Sequence, residues 1–341
     1  MSQIDTISEF LLHAGTDYRI FDMGRAIRPV TSQTFLEIEN GLIPAPYPRQ
    51  QHAWYGILFF NKQASSEQYI WFVKLPIDEK GLIIPAGRQQ FLQIVVEALG
   101  QQLDNKNNPN NQLPENPFTF VPNQNQLADF NSICRLSIDL ATSEHIEKVI
   151  DYLNAPQKND WQTIPVQGIA DFCATISTVA SSELFIKKFN DVAPEMQYAL
   201  CASLENHQLN STLCEHLITW CQQQDNNQNR LAATLRALCQ GQEQQKIQEF
   251  LISVLMSPQG ITLDILMLIA ARHWTHLNNE NLLKQYIQLL AEMGPETFIG
   301  LYSDLVQIPE IRETMLSILR WPEKSPQLTQ AIGLLFGQQS A

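Results

Sequence analysis

"GQQLDNKNNPNNQLPENPFTFVPNQNQ", residues 100–126, separates two kinds of sequence. Asparagine, glutamine and proline dominate it, and its few apolar residues keep neither a helical nor a strand period, which is the composition of a linker. Phe118, Phe120 and Val121 interrupt the polar tract, so part of it is expected to pack. A chain of 341 residues has room for two domains of roughly 100–200 residues each. The tract sets their expected bounds at 1–122 and 126–341.

Towards the N-terminus the pattern is mixed. A helix fits Ser2 to His13, with Ile4, Ile7, Phe10 and Leu11 on one stripe. "YRIFDMG" (18–24) reads as a strand, and "TSQTFLEIENG" (31–41) as a helix with Thr31 or Ser32 as N-cap and Gly41 beyond its end. "AWYGILFFNKQASSEQYIWFVKLP" (53–76) is a hairpin whose loop is too long for a two-residue turn. "DEKG" (78–81) makes a further turn, and Gln89 to Leu99 resume helical spacing through Phe91, Ile94, Val95 and Ala98. These elements predict an α+β domain, a small antiparallel sheet with helices.

Towards the C-terminus the strand signals vanish. About thirteen short helical stretches follow, with pair starts near Leu127, Pro165, Glu195, Gln228, Ile261, Pro295 and Pro326, a spacing of roughly thirty to forty residues. Prolines 165, 194, 295, 309 and 326 fall at expected helix starts, where a missing N–H costs nothing. Segments such as "LCEHLITWC" (213–221) and "IRETMLSIL" (311–319) carry apolar residues at helical spacing and need neighbours to cover them. The tetratricopeptide signature is absent. The lengths predict an all-α helical-repeat domain, a HEAT-like α-solenoid; an irregular compact bundle is the alternative.

Composition narrows the function classes. A net charge of −13 and a pI near 5.0 disfavour a nonspecific grip on nucleic acid or anionic lipid. The N-terminal fifteen residues lack a basic region and an unbroken apolar run, which predicts no secretory signal. The longest apolar stretch, "ITLDILMLIAARHW" (261–274), is broken by Asp264 and Arg272, so no membrane insertion is expected. Six cysteines, Cys134, Cys173, Cys201, Cys214, Cys221 and Cys239, show no C-x-x-C spacing. They read as buried free thiols of a reducing cytoplasm.

The hairpin is apolar on both faces, with Trp54, Tyr69 and Trp71 its largest rings. Local helices can cover one face. The other needs a second cover, so these three residues are expected at an interdomain or partner surface. Arginine is the second feature. Arg19, Arg25, Arg28, Arg49 and Arg88 fall near strand ends and loops, and "MGRAIRPVTSQ" (23–33) brings two of them close to a helix N-terminus. Guanidinium forks there suit a carboxylate or phosphate, which makes Arg25, Arg28 and Arg49 the candidate anion ligands. Pairing with Asp17, Asp22, Glu37 and Glu39 is the structural alternative.

Catalytic and metal motifs are missing. His273 and His276 stand three apart without further converging ligands, and H-E-x-x-H and G-x-S-x-G are absent. Asp78, Glu79 and Lys80 are consecutive and read as a charged turn. "GLIPAPYPRQQ" (41–51) reads as a stiff extended loop. No catalytic residue, metal or cofactor is expected.

"FLLHAGTDYRIFDMGRAIRPVTSQTFLEIENG" (10–41), "PYPRQQHAWYGILFF" (46–60), "YIWFVKLPIDEKG" (69–81) and the helical C-terminal half together resemble a gamma-proteobacterial family of unknown function. The resemblance covers nearly the whole chain. It implies a bacterial cytoplasmic protein and brings no reaction, cofactor or site residue. The expected role is a non-catalytic scaffold with an unidentified protein partner and no nucleic acid. The alternative is a regulator or enzyme binding an anion or small ligand through its N-terminal domain.

Overall fold

The computed structural model describes residues 5–60, 68–104, 114–224, 227–257 and 261–337. The chain divides into two compact units, residues 1–122 with 307–309, and residues 123–306 with 310–341.

The first unit is built on a four-stranded antiparallel sheet of β1 (Asp17–Asp22), β2 (Arg28–Val30), β3 (His52–Phe60) and β4 (Gln68–Pro76), in the order β2-β1-β3-β4. Ile57 stands opposite both Ile20 and Trp71, so these three side chains share one face. That face is covered by α1 (Ile7–His13), α2 (Ser32–Glu39) and α3 (Pro85–Asp104), whose Ile7, Phe35, Ile38 and Phe91 are fully buried against Tyr55, Ile57 and Val73. Burial at this scale is the main favourable term, about 25 cal/mol per Å2 of apolar surface. On the opposite face Phe21, Leu58 and Phe60 are buried as well, so both faces are apolar.

Local chemistry sets the ends of these elements. Thr6 and Glu9 form a reciprocal capping box at the start of α1, and Thr31 Oγ1 accepts the Thr34 N–H at the start of α2. Helix α3 begins at Pro85, earlier than the apolar spacing from Gln89 indicated, because proline fits the first turn of a helix. Strand β2 was not legible: it is three residues long, contains Pro29, and lies at the sheet edge, where a proline is tolerated. The polar tract packs in part. Phe118 is buried in the first unit's core, the Lys74 N–H donates to the Phe118 carbonyl, and the Phe120 N–H donates to the Phe72 carbonyl. The "NKNNPNNQ" stretch, Ile4 and most of the hairpin loop lie outside the described residues.

The second unit is helical. Its helices are α4 (Gln124–Ser137), α5 (His145–Asn154), α6 (Val166–Ala174), α7 (Val179–Lys188), α8 (Pro194–Leu204), α9 (Ser211–Gln222) and α10 (Gln228–Ala237). They continue with α11 (Gln244–Leu255), α12 (Leu263–Arg272), α13 (Glu280–Glu292), α14 (Pro295–Leu305), α15 (Arg312–Ser317) and α16 (Pro326–Gly337). Helices α4, α6, α8, α10, α12, α14 and α16 pack successively in one layer. Helices α5, α7 and α9, and then α11 and α13, pack outside them. Each layer helix stacks on its predecessor two elements back, which is the packing of a helical repeat.

The caps repeat too. Asn123, Thr178, Asn210, Asn227, Thr262 and Asn279 each accept a backbone N–H of the first turn. Pro194 and Pro295 occupy the first helical position. Pro309 differs from expectation: it sits in the turn ahead of α15. Among the described residues of this unit β structure is confined to one isolated bridge, Leu209 with Gly241. No single helix among the described residues is long and apolar enough to cross a membrane.

Candidate functional site

Two polar constellations stand out, one in each unit. In the first, Asp22 ends β1 with its carboxylate wholly buried, accepting the Gly24 N–H at 2.8 Å. Gly24 is required: any Cβ there would collide with the Tyr47 carbonyl oxygen. This close approach locks the turn after β1 to the proline-rich loop. Arg25 Nε donates to the Pro48 carbonyl at 3.1 Å, and the Arg28 guanidinium lies 4.7 Å from the Tyr47 ring centroid.

Gln50 and Gln51, at φ +52° and +58°, form a tight turn closed by hydrogen bonds between Arg49 and His52. The turn holds the Arg49 guanidinium 4.2 Å from the Trp54 ring centroid. The fields of Arg25, Arg28 and Arg49 therefore all act on Asp22. Burial outweighs them and raises the Asp22 carboxyl to about 7, against the Gly24 hydrogen bond and then the three arginines. The candidate anion ligands are thus gathered, and they are gathered around a carboxylate of the chain itself.

Arg88 and Glu39 belong to a separate arrangement. The Arg88 guanidinium donates to the Glu39 backbone carbonyl. The Glu39 carboxylate accepts the backbone N–H groups of Ile7 and Ser8 and the Ser8 hydroxyl. Glu39 therefore caps α1 from α2. Burial raises its pKa, while these hydrogen bonds oppose the shift.

The three aromatic candidates do not form one surface. Trp71 lies on the helix-covered face with ring centroids 6.1 Å from Phe10, 4.6 Å from Phe59 and 5.9 Å from Phe91. Tyr69 stacks on Phe59 at the exposed end of the same face and is 38 % exposed. Trp54 points to the opposite face, where its Nε1–H donates to the Arg49 carbonyl and its ring meets Phe120 edge-on at 4.8 Å. A one-residue change of register would exchange these faces, and a hairpin loop of this length leaves register unspecified.

The second constellation is a groove in the helical unit, which no motif in the sequence announces. A cavity of about 400 Å3 is lined by residues from α4, α6, α8, α10 and α12. Val166, Ile169, Ala170, Ala199 and Ala202 form its apolar wall. Its polar end holds Asp129, Ser203, Glu205, Arg236 and Arg272. Glu205, which caps α8, is gripped by Arg272 through Nε at 3.0 Å and through a second nitrogen at 3.1 Å; Arg236 reaches it at 3.4 Å. Such two-pronged pairing is the stronger form of an ion pair.

Asp129 is held differently. It is 6 % exposed and accepts hydrogen bonds from the Ser203 hydroxyl and, at 2.9 Å, from Asn206 Nδ2. Burial raises its pKa to about 7, opposed by Ser203; the charge of Glu205 raises it further, and Asn206 lowers it. One helix further, Asp171 is buried and accepts from Ser132, Ser143 and Gln167. The sequence carries one trace of this pair: "ADF" recurs at residues 128–130 and 170–172, on successive inner helices. A carboxylate inside an apolar stripe is the signal that would have found it.

Burial raises the thiols of Cys134, Cys173, Cys201, Cys214 and Cys221, which disfavours the nucleophilic thiolate. His273 and His276 are buried side by side, with His273 Nε2 donating to the Leu235 carbonyl at 2.7 Å. Among the described residues no three His, Cys, Asp or Glu converge as metal ligands. Asp78 closes its turn by accepting the Lys80 and Leu82 N–H groups.

The chain belongs to the family described as "Protein of unknown function (DUF3549)", whose model matches residues 2–336. No curated protein and no solved structure matches it.

Proposed function

We propose that this protein is a non-catalytic cytoplasmic interaction protein whose helical unit takes an extended segment of a partner protein into its inner-layer groove. The observation that carries this reading is the lining itself: five successive helices of one layer, α4 to α12, contribute to one continuous concavity. Stacked repeats create such surfaces, and their binding partners lie along them. A mixed wall of small apolar side chains and charged groups suits a peptide better than a reacting small molecule. Six free thiols fit a reducing compartment. Residues 1–122 and 126–341 are proposed as separate folding domains, each with its own core.

The test is affinity capture from the native host with the intact protein and with Ala202→Trp, which fills the groove from α8. A partner captured by the first and lost with the second supports the reading. Partners retained equally by both would refute it.

A second reading assigns the first unit to anion binding, favoured by the gathering of Arg25, Arg28 and Arg49 around Asp22. Calorimetric titration with phosphate and with a dicarboxylate, on wild type and Arg28→Gln, tests it. Heat that is the same in both excludes the cluster as the binding site.

A further inference from the structure

The groove has a chemical preference built into it, and the argument rests on the groove reading given above. Its charged groups are unevenly matched. Glu205 is held by two arginines, whereas Asp129 is held only by a serine hydroxyl and a side-chain amide. Among the described residues the charged neighbour that acts on Asp129 is Glu205, of the same sign. A carboxylate that deep in the protein is stabilised when a cation reaches it. Each of its oxygens accepts one hydrogen bond, and a carboxylate oxygen can accept another.

The walls leading to Asp129 are apolar. Val166 and Ile169 from α6, with Ala199 and Ala202 from α8, line the same cavity. Small alanines leave width, and branched residues supply contact for methylenes. A long side chain with an aliphatic stem and a cationic head matches that order of surfaces. An acidic side chain reaching Asp129 itself would meet a like charge, since both arginines are engaged by Glu205, and an apolar one would leave Asp129 without a counter-charge.

We propose that the groove selects an extended peptide segment carrying a lysine or arginine, whose stem lies along the α6 and α8 wall and whose cationic head pairs with Asp129. The specificity of the array then resides in one carboxylate that its two arginines leave uncompensated.

The test uses the full-length protein and capped octapeptide pools, each with one residue fixed and the other positions randomised. Pools fixed as lysine or arginine at one position should be retained roughly tenfold or more above pools fixed as alanine or glutamate, the factor expected of a charge-assisted hydrogen bond. Replacing that lysine by acetyl-lysine, which keeps the length and removes the charge, should abolish the gain on the unaltered protein. Asp129→Asn should retain all pools to similar extents. Retention without a basic preference, or a preference for glutamate, overturns the assignment of Asp129 and leaves the groove reading standing. If no pool is retained, the groove reading falls and this inference with it.

Discussion

The Glu39 carboxylate accepts the backbone N–H of Ile7 at 2.7 Å, so the end of α2 caps the beginning of α1 across 32 positions of the chain. Both residues are essentially inaccessible to water. Removing the carboxylate leaves buried N–H groups without an acceptor, and each such group costs about 1–3 kcal/mol. Glu39→Ala should therefore destabilise the first unit by about 2–4 kcal/mol, measured by urea unfolding followed at its tryptophans. Glu39→Gln, which keeps an oxygen acceptor, should lose less. Equal losses in the two variants would show that the cap contributes nothing beyond side-chain volume.

Trp71 offers a test of what the hairpin aromatics do. Its contacts with Phe10, Phe59 and Phe91 place it in the first unit's packing. Truncating a fully buried ring of this size costs about 3–5 kcal/mol, and Trp71 is half-buried. Trp71→Ala should then cost about 2–3 kcal/mol. A melting curve that coincides with wild type would transfer Trp71 from packing to recognition.

Asp129 makes stability depend on pH in a defined direction. Its carboxyl titrates at about 7 in the folded protein and at about 3.9 in an unfolded chain. The folded state thus holds a proton that the unfolded state has released. The contribution is fully present below pH 4 and is lost as pH rises through 7. Relative to Asp129→Asn, the wild-type protein should lose up to about 4 kcal/mol between pH 4 and pH 8. Urea unfolding of both proteins at several pH values measures the difference. Parallel curves would mean that Asp129 is ionised at its ordinary pKa.

The buried histidines act at the acid end. Burial lowers His276 to about 4, and burial with the neighbouring His276 lowers His273 to about 3. An unfolded histidine titrates near 6.5. Here the unfolded state takes up the protons, so this contribution is complete above pH 6.5 and falls away as pH drops towards 4. His276→Gln should flatten the acid limb of the stability curve by about 3 kcal/mol between pH 6.5 and pH 4. An unchanged acid slope would place the imidazole in water.

Much of the helical unit was legible because its punctuation is local. Starts expected near Leu127, Pro165, Glu195, Gln228, Ile261, Pro295 and Pro326 lie close to those of α4, α6, α8, α10, α12, α14 and α16, the inner layer. Asparagine and threonine caps and helix-opening prolines announce such starts within a few residues. The groove was not legible. Asp129 and Ser203 are 74 positions apart, and Glu205 and Arg272 are 67 apart. Only the stacking of repeats brings them together, and no local period encodes it. In the first unit, the arginines announced themselves by composition. Their convergence on Asp22 depends on a close backbone approach at Gly24 that no propensity reveals.

The short pairing of Phe118 and Phe120 with β4 also bears on how the first unit can be handled in isolation. An open strand edge is a template on which a second molecule can add its own strand. A shortened chain ending at residue 113 would strip the covering segment from β4 and remove Phe118 from the core. Such a fragment should self-associate edge to edge more readily than one ending at Pro122, which retains the segment that pairs with β4.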